Sequence, residues 1–230
     1  MDTAPKRALI IGASRNLGLG LARELARHGW DVIGTVRGST GTELHELAGS
    51  SQGRVTVEQV DVTVPEDIHR LRRSLADGAL DLLFVKAGIT DADKPAGEVT
   101  VEVFTDVMLT NALAPLRAIE ILALLVKGRG TIGVMSSRQG SVSLNTRGGH
   151  EVYRASKAAL NQLMRSYAAR QQSDRTLLLI HPGWVQTELG GEGAPLTVDE
   201  SVPGIVATIK QHSGEPGLQF LDYQGGVVPW

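Results

Sequence analysis

The chain has 230 residues, a formal net charge of −2, no cysteine and basic residues scattered along its length. This suits one α/β domain with an ample core, and excludes disulfides, thiolate metal sites and a basic nucleic-acid surface. The polar N-terminus leads into an apolar run of residues 8–11 too short for a signal-peptide core, and residues 119–126, carrying Glu120, fall far below membrane-spanning length. A soluble cytoplasmic protein with no membrane partner is expected, the lack of cysteine agreeing with a reducing compartment.

Residues 8–11 have the pattern of a short buried strand and run into Gly12-Ala13-Ser14-Arg15-Asn16-Leu17-Gly18-Leu19-Gly20. A helical pattern follows through Leu21, Leu25 and Ala26 and stops at His28-Gly29. Strand, glycine-rich turn and helix make a phosphate cradle, in which bare backbone N–H groups and a helix N-terminus face an anion. The spacing is closest to G-x-x-x-G-x-G with Asn16 in the middle glycine's place, and Asn is the residue that next best tolerates a left-handed backbone. The bland alternative is a plain βα turn with Ser14 capping the helix.

Asp31–Val36 reads as a second strand ending at Arg37. In dinucleotide folds an acidic residue here holds the ribose 2′-OH, whereas an arginine accommodates a 2′-phosphate. With Arg15 in the first turn, Arg37 predicts NADP(H) over NAD(H). A third strand over residues 55–60 ends at Asp61-Val62, and a helix follows through Ile68, Leu71 and Leu75. Leu80–Val85 is near-continuously apolar, as parallel strands covered on both faces are, and ends at Lys86-Ala87-Gly88. After a polar loop, a helix over about residues 101–126 carries Asn111. Residues 131–135 form a fifth strand closing on Ser136-Ser137, residues 176–180 a sixth ending at His181-Pro182-Gly183-Trp184-Val185-Gln186-Thr187, and residues 198–211 and 218–221 a last helix and strand. This alternation predicts a doubly wound parallel sheet in one domain, residues 1–230, with ligands beyond the strands' carboxyl ends.

Between the fifth and sixth strands lies Tyr153-Arg154-Ala155-Ser156-Lys157, opening an amphipathic helix whose apolar stripe has Asn161, Gln162 and Arg165 between its members. Tyr153 and Lys157 are four apart and share one helix face. A neighbouring ammonium favours phenolate, lowering a tyrosine pKa from about 10 and making a proton donor usable near neutrality. Alone, the pair reads more readily as a surface tyrosine and a solvated lysine, and its company elsewhere in the chain decides.

Together the Gly12–Gly18 turn, Asp61-Val62, Asn111, the Ser137, Tyr153 and Lys157 set, and Pro182-Gly183-Trp184-Val185-Gln186-Thr187 resemble the short-chain dehydrogenase/reductase superfamily in order and over nearly the whole chain. Arg147-Gly148-Gly149, Ser156 to Asn161, His181 to Trp184 and the ending Phe220 to Trp230 resemble its C-factor-like, sniffer-type carbonyl reductase branch. The resemblance implies Tyr153 as acid/base, Lys157 lowering its pKa and holding the nicotinamide ribose, Ser137 on the substrate oxygen and Asn111 anchoring a water relay. It implies Gly12, Ser14, Arg15, Asn16, Leu17 and Gly18 around the cofactor's phosphates. Asp61, Val62, Ala87 and Gly88 fall near its adenosine, and Pro182, Gly183, Val185 and Thr187 near its nicotinamide. A small carbonyl or alcohol substrate follows in the same way, and the long helices near Asn111 and Tyr153 leave a homodimer or homotetramer open. Residues 138–150 and 188–195 are the candidate substrate-lining segments.

Two residues depart from the family pattern: Asn16, and Lys86 where the family's Asn-Ala-Gly has asparagine. Following a buried strand, the Lys86 amine must reach solvent or find an anion; the expectation is a tolerated, somewhat destabilising substitution. A serine hydrolase built on Ser137 lacks the G-x-S-x-G elbow. A dinucleotide-binding sensor with little turnover is the other reading, since a fold by itself does not prove activity.

Overall fold

The computed structural model describes residues 4–38, 41–90 and 93–230. Seven parallel strands form one sheet in the order β3-β2-β1-β4-β5-β6-β7. They are β1 (Arg7–Ile11), β2 (Asp31–Val36), β3 (Val55–Gln59), β4 (Leu80–Val85), β5 (Val126–Met135), β6 (Thr176–His181) and β7 (Gly217–Asp222). The helices are α1 (Asn16–Arg27), α2 (Glu43–Ser50), α3 (Pro65–Ser74), α4 (Val101–Met108), α5 (Ala114–Leu122), α6 (Glu151–Gln171) and α7 (Val198–His212). The doubly wound α/β fold expected from the alternation is thus the fold observed.

Successive strand side chains point to opposite faces, so each strand feeds two cores. Leu9, Ile11, Leu83 and Val85 pack with Ile68, Ile119, Leu160 and Met164 of α3, α5 and α6. Ala8, Ile10, Leu82 and Phe84 pack with Leu21, Leu25, Leu44, Ile205 and Ile209 of α1, α2 and α7. The strand order reverses between β1 and β4, which opens the crevice where such sheets bind ligands.

Three local features differ from the pattern-based expectation. α2 has no counterpart in it, being short and ending in Gly49-Ser50, yet it is closed by a capping box in which Thr42 and His45 satisfy each other's backbone N–H groups. β5 begins at Val126 rather than Thr131: Lys127-Gly128-Arg129-Gly130 looks like a turn, but Val126 pairs with Leu80 and the register shifts before Leu82. The helix expected over residues 101–126 is interrupted by a π turn at Leu109–Leu113, with a 3₁₀ turn at Ala123–Leu125. The stretch Val101–Leu125 is long and apolar enough to cross a membrane by composition, but more than half of it is buried here, as in a core helix.

Candidate active site

Every element that ends on the crevice contributes to it, beginning with the turn after β1. Gly12 has φ +87, and its N–H and that of Ala13 are held by the Thr35 side chain and carbonyl, at 3.0 and 2.8 Å. Asn16 takes φ +51, the left-handed conformation predicted for it. The N-cap of α1 is Arg15 rather than Ser14, no side chain caps the helix, and its first turn holds no acidic residue. An uncapped helix N-terminus in a glycine turn presents free N–H groups and the positive end of a dipole. A Cβ at Gly18 would lie 2.0 Å from the Gly12 carbonyl oxygen, and one at Gly12 would lie 3.4 Å from the Ala87 nitrogen. The turn lies beside the Lys86-Ala87-Gly88 segment, with room for ordinary van der Waals contact between them.

Arg37 is exposed at the end of β2. Arg15 reaches across the crevice to Glu188, on the segment after β6, with 2.8 Å between Nη2 and Oε2 and both side chains more than half exposed. Asp61 accepts from the Thr63 N–H and hydroxyl at 2.9 and 2.6 Å, and Val62 is buried beside it. Gly183 has φ +86 and a Cβ there would strike Leu196 at 2.5 Å; the Pro182 carbonyl accepts from Ser201, and Thr187 receives the Gly190 N–H at 3.1 Å. These contacts fix the course of residues 182–190 along the crevice with Val185 buried beneath.

Asn111 sits inside the π turn, fully buried. Such a turn re-aims side chains that a regular helix would point elsewhere, and is frequent at functional sites. Its Oδ1 accepts from the Ile89 N–H at 2.7 Å, and its Nδ2 donates to the Ile89 carbonyl at 2.8 Å and to Ser156 Oγ at 2.9 Å. Ser156 in turn donates to the Tyr153 carbonyl at 2.7 Å. Asn111 thereby ties the β4 exit to the turn of α6 that carries Tyr153. Both it and the Lys157 amine lie beside Gly88, at 3.5 and 3.4 Å from where a Cβ would be.

The two serines after β5 are distinguished by their partners. Ser136 donates to Asn161 Oδ1 at 2.6 Å, and Asn161 Nδ2 donates to the Gly140 carbonyl at 3.3 Å. Ser137 caps a 3₁₀ turn, Arg138–Gly140, by accepting from the Gln139 N–H, and its hydroxyl faces the Tyr153 phenol. Asn161 lies one further turn along the face that carries Tyr153 and Lys157, and it is buried rather than a spacer in the apolar stripe. Its spacing of four from Lys157 was the available signal. The Gly140 carbon packs on Lys157 so tightly that a Cβ would meet its backbone at 2.8 Å.

Electrostatics here run opposite to the sequence-based expectation. Burial pushes Tyr153 up to about 12, with the Ser137 hydroxyl pulling it partly back. Burial, and secondarily the charge of Lys86, push Lys157 down to about 7. Its amine donates to the Met135 carbonyl at 3.1 Å and stands 5.9 Å from the Tyr153 ring centre. Desolvation outweighs the mutual phenol–ammonium stabilisation, because both groups are removed from water.

The candidate substrate segments are held from outside. Ser141 and Ser143 donate to the Trp230 carbonyl at 3.2 and 2.9 Å, and Arg165 lies over the Trp230 ring at 5.0 Å. Gly148, Gly149 and His150 are all left-handed, and the His150 N–H donates to Asp93 at 2.5 Å just before α6 begins. A cleft of about 400 Å³ lined by Ile89, Lys94, Val99, Thr100, Val103 and Val107 flanks the site, but excludes Ser137, Tyr153 and Lys157.

A parallel sheet with a glycine-rich first turn and a Ser–Tyr–Lys set beyond its carboxyl end defines a dinucleotide-fold oxidoreductase. The chain belongs to the short-chain dehydrogenase/reductase family: a family model described as enoyl-(acyl carrier protein) reductase matches residues 12–202. A Burkholderia multivorans structure with bound NADP is 49% identical, with a TM-score of 0.96 over 99% of this chain and 100% of that one. A carbonyl reductase from Pseudomonas aeruginosa is 36% identical with a TM-score of 0.91, covering 98% and 100% of the two chains. The C-signal protein of Myxococcus xanthus is 36% identical over 68% of this chain and 96% of its own. The carbonyl reductase Sniffer of D. melanogaster is 29% identical with a TM-score of 0.87, covering 99% and 100%. Family and branch both agree with the resemblance read from the motifs.

Proposed function

We propose that the chain is an NADP(H)-dependent oxidoreductase interconverting a carbonyl and an alcohol, a single cytoplasmic domain over residues 1–230 with Tyr153 as acid and base. The observation that carries it is the meeting, at one end of the sheet, of an uncapped α1 N-terminus with Ser137, Tyr153 and Lys157. The cradle suits a dinucleotide's phosphates, since the α1 N-terminus is uncapped and a side chain at Gly18 would strike the turn's own backbone and push it open. Gly12, Ser14, Arg15, Asn16, Leu17 and Gly18 would hold those phosphates, and Arg37 a 2′-phosphate. Asp61, Val62, Ala87 and Gly88 would line the adenosine, and Pro182, Gly183, Val185 and Thr187 the nicotinamide. The NADP-bound Burkholderia and Pseudomonas structures support this choice of cofactor.

When bound, the dinucleotide supplies or accepts the hydride. Tyr153 Oη gives its proton to the substrate oxygen, and Ser137 Oγ donates to that same oxygen, two donors aimed where negative charge develops. Lys157, fixed by the Met135 carbonyl, would hold the nicotinamide ribose and, when protonated, place positive charge behind the phenol. Asn111, locked through Ile89 and Ser156, holds α6 in register and anchors the proton relay to Lys157. The exposed Val101, Val103 and Phe104 of α4 support a homodimer or homotetramer, checked by sedimentation.

The second reading, a dinucleotide-binding sensor with little turnover, is favoured by the raised Tyr153 and lowered Lys157, which leave the proton-transfer pair detuned in the protein by itself. Loss of NADPH absorbance across a carbonyl panel separates the two. Turnover supports the reductase, NADPH binding without turnover supports the sensor, and no binding of either nucleotide overturns both.

A further inference from the structure

Lys86 is the residue that fits the family pattern least, and its surroundings give it a use. It continues β4 between β1 and β5, its N–H donating to the Ile11 carbonyl at 2.9 Å. Strand alternation sends its side chain to the face of Phe84, where α1 and α7 pack, and not to the face of Val85. There it lies largely covered, within electrostatic reach of Arg15 from the glycine-rich turn, Glu188 from the segment after β6, and Lys157 from α6. Among the described residues its amine has no hydrogen-bond or ion-pair partner. Two cations, Lys86 and Arg15, thus meet near the Lys157 amine where the strands end, and the carboxylate that reaches them is Glu188, already joined to Arg15 at 2.8 Å. Gathering like charges in a partly desolvated crevice is unfavourable unless an anion completes the group.

We propose that Lys86 and Arg15 form a paired anion site for the dinucleotide's phosphates, with Glu188 as a built-in competing carboxylate that those phosphates displace. This rests on the dinucleotide reading above and extends it to a residue outside the family's pattern. It also goes beyond the expectation that Lys86 is merely tolerated: among the described residues the amine has no protein partner to neutralise it. The Arg15–Glu188 pair is solvent-exposed on both sides and so is weak enough to exchange. Glu188 is therefore a modest brake on cofactor entry, and Lys86, more deeply covered, is the stronger half of the site.

The test uses the full chain and two probes, NADPH and inorganic pyrophosphate, titrated calorimetrically against wild type, Lys86→Met, Lys86→Arg and Glu188→Gln. Lys86→Met keeps the packed stem and removes the charge, and is expected to weaken both probes roughly ten-fold or more. Lys86→Arg should retain most of the binding. Glu188→Gln should tighten both probes about two- to five-fold, the scale of an exposed ion pair. A Lys86→Met protein of wild-type Tm that binds NADPH and pyrophosphate as wild type does, or more tightly, overturns the proposal. Unchanged affinities in Glu188→Gln remove the competing role. Normal NADPH binding with neither variant altered leaves the dinucleotide reading standing and this one refuted. Lys86-dependent pyrophosphate binding with no affinity for NADPH or NADH does the reverse. A wild type that binds neither probe refutes both.

Discussion

Ser136 and Ser137 are adjacent, chemically identical and both buried, yet one is committed to Asn161 and the other faces Tyr153. At this scale the chemistry of a side chain is decided by what already occupies its hydroxyl. Tyr153 has its proton firmly held, with a pKa near 12, so the protein by itself stores a donor rather than a phenolate. Replacing Tyr153 with Phe removes that proton and little volume. Turnover of a confirmed carbonyl should fall about 10²- to 10⁴-fold, the usual share of general acid–base catalysis, with the NADPH dissociation constant almost unchanged. Near-native kcat in Tyr153→Phe would dispose of the mechanism. Arg37 lends itself to a similar single-residue argument: it stands exposed at the end of β2, and charge-assisted bonds to a phosphate contribute about 1.5–3 kcal/mol. Arg37→Ala should lose roughly ten-fold or more of the preference for NADPH over NADH, measured as the ratio of dissociation constants; an unaltered ratio would show that the 2′-phosphate is read elsewhere.

Among the elements, the turn after β1 is the clearest case of backbone geometry dictating residue type. At Gly18 a methyl group would stand 2.0 Å from the Gly12 carbonyl and 3.0 Å from the Ala13 Cα, so Gly18→Ala has to push the cradle open despite the better helix propensity of alanine. At Gly49, in exposed α2, a Cβ meets nothing within 4 Å. Gly18→Ala should lower both Tm and NADPH affinity, whereas Gly49→Ala should gain about 0.5–1 kcal/mol and leave affinity alone; equal behaviour of the two would show that the cradle yields freely. Elements with strong local signals were legible in the sequence: the apolar strands, the glycine turn, the Tyr–Lys pair on one helix face, and the left-handed Asn16. What escaped it depends on distant partners. The π turn around Asn111 is tied to the Ile89 backbone twenty-two residues upstream, and the part of β5 before Thr131 is fixed by pairing with Leu80. Glu188 reads only as part of a candidate substrate-lining segment until β6 delivers it to Arg15. Asn161 looks like a spacer until Ser136 and Gly140 close on it. The Tyr–Lys spacing was readable but the direction of its pKa shifts was not, because these follow from burial, which the spacing does not contain.

For the molecule as a whole, the crevice puts a protonatable amine where water is scarce, and stability should record it. Lys157 has a folded pKa of about 7 against an ordinary 10.5. Between those values the unfolded chain binds a proton that the folded chain does not, so stability rises with pH across that window and falls as pH drops toward 7. Lys86, also lowered by burial and by Arg15, acts in the same sense. Tyr153 acts oppositely at higher pH: with a folded value near 12, its stabilising contribution is complete below about pH 10 and is lost as the unfolded phenol ionises from there to 12. The protein by itself should therefore grow more stable from pH 7 to about pH 10 through this part of the molecule, then turn over. Lys157→Met keeps the stem and removes the titration. It should raise Tm at pH 7, by a stabilisation of order several kcal/mol, and flatten the rise between pH 7 and 10 while abolishing turnover. Thermal unfolding of both proteins at a series of pH values reads the difference directly. If Lys157→Met has the same pH slope and a lower Tm at pH 7, the amine is held charged and well solvated or paired in the folded state, and burial does not control its ionisation.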